Sequence, residues 1–199
     1  HEGAHIMTMS TYKSLAGPPA GLLVTTEADI AERVDAIAFP GLTANFDAAN
    51  TAALARTLVD WLEHGRDHAT EMVAAASRLA AELAAAGLPV LTTRNGHATR
   101  SHAFAVRATS THGDGHALAL RLREANLLTS AIGVPGDAPD RMGAIRLGTN
   151  EMVRWGMTAD DMDEVAAAIV RAVAGDDLPA VATAVGELRA RFDRVHFCS

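Results

Sequence analysis

The chain has 199 residues, enough for one domain or two small ones around a sizeable core. Its 49% hydrophobic and 21% charged composition is that of a soluble globular protein. The net charge of −7, with no run of like charges, speaks against nucleic acid and an anionic membrane surface as the main partner, although a phosphate needs only backbone amides and one or two side chains. The single cysteine, Cys198, excludes an intrachain disulfide and makes a reducing, cytoplasmic setting the default. No apolar run approaches the length of a bilayer span, and no signal-peptide pattern opens the chain.

Residues 1–5 lack an initiator Met and lead straight into strand-like sequence, so the expectation is a chain that begins partway through a larger fold. Residues 5–11 are short, apolar and hydroxyl-rich, as in a buried strand. Gly17-Pro18-Pro19-Ala20-Gly21 forces a turn, and residues 22–26 read as a second core strand. Residues 27–37 suit a short helix, followed by an irregular loop over 39–47 that carries Phe39 and Phe46. A long helical pattern then runs over 48–86, with Gly65 as a candidate break. Its apolar stripes are Leu54, Leu58 and Trp61, then Met72, Ala76, Leu79 and Leu83.

Gly87 and Pro89 end that helix. Strands are expected over 89–93 and 101–107, with a turn at Asn95-Gly96, and a helix over 114–126. Two more short strands, 127–132 and 144–147, flank the loop from Gly133 to Asp137. Thr158-Ala159-Asp160-Asp161 is a capping box that opens a helix stopped by Gly175, and a last helix carries Leu178, Val181, Val185, Leu188 and Phe192. Beyond about residue 90 this is an α/β sandwich, helices over one face of a small sheet.

With 16 arginines among 17 cationic residues, Lys13 is the only lysine. Guanidinium stays protonated at physiological pH, whereas a lysine amine can attack a carbonyl to form a Schiff base. Lys13 lies between small hydroxyl residues and a Gly-Pro turn, which suits a rigidly held amine better than a casual surface charge. Lysines of this kind in pyridoxal phosphate enzymes sit on strand-to-strand connections beside Ser and Thr, here Thr8, Ser10 and Thr11.

Arg146, inside the apolar strand Ala144-Ile145-Arg146-Leu147, needs an anionic partner. A bidentate clamp on a substrate carboxylate and a structural ion pair with an internal acid are about equally good readings. The pairs His64/His68 and His112/His116 have metal-like spacing without a second ligand set and read as solvated surface histidines. His102 reads as a satisfied core or hinge histidine, and Trp61 and Trp155 as fillers of core or interface space.

Taken together these residues resemble the serine hydroxymethyltransferase family of fold-type I pyridoxal phosphate enzymes. The family's T-T-T-T-H-K-T-L-R-G-P-R-G-G motif matches Thr8 through Gly21 in register, and its F-P-G segment matches Phe39-Pro40-Gly41. Its A-N-I-T-V-N-K-N-x-V-P-N-D segment matches Ala125-Asn126 through Val134-Pro135-Gly136-Asp137. Its G-I-R-x-G-T strand matches Ala144 to Thr149, with a similar Arg-x-Gly at Arg154-Trp155-Gly156.

The resemblance implies an α/β chain in three parts: residues 1–50 as the end of a fold-type I large domain, 51–88 as a connecting helix region and 89–199 as a small C-terminal α/β sandwich domain. It implies that Lys13 forms the Schiff base with pyridoxal 5'-phosphate, that Ser10, Thr11 and Gly41 help hold the cofactor, and that Arg146 binds the carboxylate of a small amino-acid substrate. It further implies a homodimer with shared active sites, the F-P-G loop reaching the neighbour's phosphate. The activity implied is cleavage or formation of the Cα–Cβ bond of a β-hydroxy amino acid.

The departures are informative. Tyr12 replaces the family's His, Ala16 and Pro19 replace its arginines, and 42–47 replace its G-G-Q-G-G-P loop. Ser130-Ala131-Ile132 stand where the polar N-K-N stretch helps hold folate, which puts tetrahydrofolate use in question. A folate-independent aldolase or transaldolase is therefore the alternative. The family's ring-stacking residue, the Asp on the pyridine nitrogen and the first phosphate loop all precede the point matched by residue 1. On that expectation residues 1–199 do not complete a cofactor site by themselves, and a non-catalytic fragment or another fold-type I enzyme such as an aminotransferase is a further reading.

Overall fold

The computed structural model describes residues 3–45, 47–109 and 112–199. The chain gathers into two compact units, one of His1–His64 with Cys198–Ser199 and one of Gly65–Phe197. One helix, α2 (Ala48–Ala85), runs through the division. Gly65 does not break it: a lone helical glycine costs only about 1 kcal/mol against Ala, and the Ala-, Leu- and Glu-rich flanks outweigh that. Among the described residues no helix is long and apolar enough to cross a membrane.

In the first unit, β1 (Met7–Ser10) and β2 (Gly21–Val24) form an antiparallel hairpin, with Met7 opposite Val24 and Ser10 opposite Gly21. The expected strands are therefore present, shorter and paired with each other, so the lysine loop is their connection. They are not buried: Met7 is 53% and Leu23 52% exposed. Helix α1 (Ala28–Ala36) follows, then a kinked turn over Ile37–Leu42 that is extended at Phe39 and contains the Phe39–Pro40 segment. Phe46, the second aromatic expected in this loop, lies outside the described residues, as do His1 and Glu2. In the first half of α2 the buried positions are Thr57 and Asp60, while Leu58 and Leu62 are exposed, so the inward stripe differs from the Leu54–Leu58–Trp61 row that hydropathy picks out.

The second unit has the closed core. Its sheet has the order β3-β5-β4, from β3 (Ala103–Arg107), β4 (Ser130–Ile132) and β5 (Ala144–Gly148), antiparallel throughout. Val106 stands opposite Ile145 and Phe104 opposite Leu147, and all four are buried. Helix α3 (Gly115–Glu124) contributes Leu118 and Leu122, α5 (Met162–Ala174) contributes Met162, Val165 and Ile169, and the second half of α2 contributes Met72, Leu79 and Leu83. Burial of these side chains stabilises the unit by about 1.5–3 kcal/mol each before entropy is counted.

Residues 89–93 make a single bridge, Val90 to Val106, rather than a strand, because the chain turns back at Gly96 after only two ladder hydrogen bonds. The strand expected over 127–132 begins only at Ser130. Helix α4 (Asn150–Arg154) follows β5 directly, the Thr158 capping box leads through a 3-10 turn into α5, and Gly175 ends α5 at φ +95°. The last helix, α6 (Leu178–Ala190), is capped by Asp177 and buries only Val181, and Phe192 lies beyond its end.

Candidate active site

Lys13 is exposed on the connection between β1 and β2. Its Nζ lies 5.9 Å from the centre of the Tyr12 ring and makes none of the described ion pairs. An amine that is to bond a carbonyl carbon must be accessible, and Lys13 is exposed and paired with no carboxylate among the described residues.

The loop bearing it is closed by polar contacts. Thr11 is fully buried, and its hydroxyl is shared between the carbonyls of Ala20, at 2.8 Å, and Pro18, while it accepts from Ala20 N at 3.1 Å. The Thr11 backbone adds N–H to Ala20 O at 3.0 Å and accepts from Gly17 N at 2.8 Å. Inside this frame Ala16 N donates to Lys13 O at 2.9 Å, a four-residue turn with the lysine at its first position. Ala16 itself has a left-handed φ of +57°. The Trp61 indole donates to Leu15 O at 2.8 Å, and a side chain on Gly17 would crowd Thr11 O at 3.2 Å and touch Thr57 at 3.5 Å. The Gly17-Pro18-Pro19 signal in the sequence announces a turn; nothing in periodicity announces that Trp61 is its clamp.

Ser10, half-buried, is the hydroxyl immediately before this frame, and Gly41 is exposed in the turn after Pro40. Lys13, Ser10, Thr11 and Gly41 all belong to the first unit, and Arg146 to the second.

Arg146 sits at the middle of the central strand, opposite Ala105 on one side and Ser130 on the other. Among the described residues no acid makes it a structural ion pair: Arg146 is exposed and makes none of the described salt bridges. Strand alternation explains this, since Ile145 and Leu147 face the core and Arg146 the other side, where its neighbours across the sheet are small. His102 is near enough to feel it: partial burial, and next the Arg146 charge, lower the His102 pKa. An exposed guanidinium that makes none of the described salt bridges, beside a part-buried histidine, is an arrangement that can take an anion.

Two other histidines, His68 and His112, are held within the fold. His68 is buried rather than solvated, stacked on Phe197 at 4.8 Å, and its pKa is lowered to about 4 by burial and by Arg154. His112 is not solvated either: Nδ1 meets Thr109 Oγ1 at 2.6 Å and Nε2 meets Val173 O at 3.1 Å. Within the same His-Gly-Asp-Gly-His stretch, Asp114 caps α3 by accepting from Ala117 N at 2.9 Å. Gly115 lets α3 start directly against β5, where its N–H reaches Met142 O at 2.6 Å. Asp137 closes the 133–143 loop: its carboxylate takes Val134 N at 2.9 Å, Gly143 N at 3.0 Å and Arg107 at 2.9 Å, contacts that lower its pKa, with the Val134 bond first.

Comparison with known proteins points to one family. Residues 1–169 match the family model described as serine hydroxymethyltransferase. An alpha-methylserine aldolase from Ralstonia sp is 46% identical over 198 residues, covering 98% of this chain and 45% of that protein. One from Variovorax paradoxus is 48% identical over 197 residues, covering 98% and 44%. A serine hydroxymethyltransferase from Methanopyrus kandleri is 38% identical over 200 residues, covering 98% and 46%. The crystal structure of L-threonine transaldolase from Pseudomonas fluorescens in internal aldimine state superposes with a TM-score of 0.86 at 26% identity, covering 98% of this chain and 45% of that one. The chain thus spans a little under half the length of the relatives it matches. With the family model running from before the lysine loop, through the Arg146 strand and into α5, this chain belongs to the serine hydroxymethyltransferase family.

Proposed function

We propose that this chain carries the lysine and carboxylate-binding ends of a pyridoxal phosphate enzyme that makes or breaks the Cα–Cβ bond of a β-hydroxy amino acid. The observation that carries this reading is the sole lysine of the chain, exposed and free of a carboxylate on a loop closed around a buried threonine, within a family match. When bound, pyridoxal phosphate supplies the electron sink for the pair left on Cα as the Cα–Cβ bond breaks. Lys13 Nζ is the amine that would hold the cofactor covalently. Ser10 is the neighbouring hydroxyl for the cofactor; Thr11 serves it by shaping the lysine loop. Arg146 takes the substrate carboxylate, and Gly41 meets a phosphate across a homodimer interface.

Aldol cleavage without folate is favoured over hydroxymethyl transfer by two observations. The alpha-methylserine aldolases are 46–48% identical to this chain, the serine hydroxymethyltransferases 35–38%. The stretch expected to hold folate is the short strand β4, Ser130-Ala131-Ile132, two of whose three side chains are aliphatic.

The test is borohydride reduction of the intact protein loaded with pyridoxal phosphate, followed by peptide mass spectrometry. The expected result is a pyridoxyl adduct on Lys13, with no visible absorbance band in Lys13→Ala; an adduct elsewhere, or a band that survives, sinks the reading. Cleavage of a β-hydroxy amino acid at full rate without tetrahydrofolate selects the aldolase. For Arg146, an amino-acid carboxylate is expected to raise the His102 pKa in an NMR titration by neutralising the nearby charge, an effect absent in Arg146→Ala.

A further inference from the structure

We propose that Trp61 is a positioning residue for Lys13, acting through a single peptide unit in the lysine turn. The proposal rests on the reading of Lys13 as the cofactor's anchor.

The unit concerned joins Leu15 to Ala16. Its N–H donates to Lys13 O at 2.9 Å, and its carbonyl accepts from the Trp61 indole N–H at 2.8 Å, so the plane is held at both ends. That plane sets φ of Ala16, which at +57° is in the left-handed region. An alanine there is strained and stays only where its surroundings dictate it. The Lys13 carbonyl is the acceptor that closes the turn. Rotation of the plane would release that carbonyl, free the Lys13 backbone and swing a long side chain whose amine must meet one carbon atom.

The brace comes from a helix, which makes it rigid. Thr57 and Trp61 are four residues apart on α2 and share a face. Thr57 is buried and lies where a side chain on Gly17 would touch it, while Leu58, Val59 and Leu62 on the neighbouring faces are exposed. The face of α2 turned to the lysine loop is thus the Thr57–Trp61 face. Its one described hydrogen bond to the turn goes to the peptide before the strained residue.

The chemistry yields a rescue. Trp61→Phe keeps an aromatic ring and removes the donor; Ala16→Gly removes the cost of the left-handed φ. In the intact protein loaded with pyridoxal phosphate, Trp61→Phe is expected to speed cofactor release about tenfold and to move the pH midpoint of the visible band. In the cofactor-free protein it is expected to speed exchange of the Ala16 amide about tenfold, the factor for one ordinary hydrogen bond. Adding Ala16→Gly to Trp61→Phe is expected to bring release back to within about threefold of the parent, while Ala16→Gly alone changes it little.

Unchanged release and exchange in Trp61→Phe, or no rescue by Ala16→Gly, overturns the proposal. An Ala16 amide that exchanges at the free-peptide rate in the parent protein overturns it even if Trp61→Phe does not fold. A parent protein that shows no band, or a band that survives Lys13→Ala, overturns the reading of Lys13 instead; the exchange measurement then still decides whether Trp61 holds the turn.

Discussion

The two units of this chain hold their functional residues in opposite ways. In the Gly65–Phe197 unit, Arg146 is fixed by the strand it belongs to: Ile145 and Leu147 are buried on one side of the sheet, and the pleat then points residue 146 the other way. In the His1–His64 unit Lys13 sits instead on an exposed connection between two strands. Its hairpin is largely exposed, and the loop keeps its shape through the Thr11 hydroxyl, the Thr11 backbone and the Trp61 indole. A core positions a residue by excluding alternatives, whereas a hydrogen-bonded loop positions it by naming partners, and each fails to a different kind of substitution.

The largest effect is expected where the packed unit has no room at all. A Cβ on Gly115 would come within 2.2 Å of Ala144 O and 2.7 Å of Met142 O, and both are backbone atoms that cannot swing aside. Gly115→Ala is expected to cost about 3 kcal/mol or more in urea unfolding and to broaden the β5 amide signals, Arg146 among them. Leu79→Ala, fully buried on α2, is expected to cost about 2–5 kcal/mol by leaving a cavity.

The polar counterpart is Thr11→Val, which keeps shape and removes the hydroxyl. It leaves Ala20 N without its side-chain acceptor and the Pro18 carbonyl without its donor, for an expected loss of about 2 kcal/mol. Limited proteolysis should then nick residues 11–20 before the sheet of the other unit melts. A melt in which both units lose stability together would break the contrast between them.

How much of this was legible in the sequence follows the same division. The second unit's core could be read because hydrophobic periodicity is the signal of packing: Met72, Leu79 and Leu83, the β5 strand and the Thr158 capping box stand where the pattern put them. Lys13 and Arg146 could be singled out because each is a charge in a neighbourhood that does not suit one. Their surroundings could not be read. Trp61 looks like any core aromatic until its N–H is seen on Leu15, and His68 looks like one of a solvated pair until Phe197, more than a hundred residues away, is stacked on it. Contacts of high sequence separation leave no periodic trace. The outward strands of the first unit were misjudged for a related reason, since their apolar residues promise burial without saying against what.

His68 gives the contrast a pH axis. Its folded pKa of about 4 lies below the usual 6.5, with burial the main cause, Arg154 adding to it and a hydrogen bond with the Asn150 backbone opposing both. The unfolded chain therefore takes up this proton first as pH falls, so stability is full above about 6.5, declines from there and levels off below about 4. The loss expected in the Gly65–Phe197 unit is on the order of 2 kcal/mol. His68→Gln should flatten that part of the profile, and an unaltered slope would mean that other groups carry it.

The smallest expected effect is the sharpest test of the exposed side. Leu62 on α2 is 89% exposed and Leu79, about four helical turns into the packed unit, is 0% exposed, although both are leucines on the same continuous helix. Leu62→Ala is expected to change stability by less than about 0.5 kcal/mol, the scale of an ordinary surface substitution. Calorimetric melts of the two alanine variants measured side by side give the ratio directly. A loss at Leu62 approaching that at Leu79 would mean that another polypeptide surface covers this face of α2, and the face would then be held by packing in the same way as the core that positions Arg146.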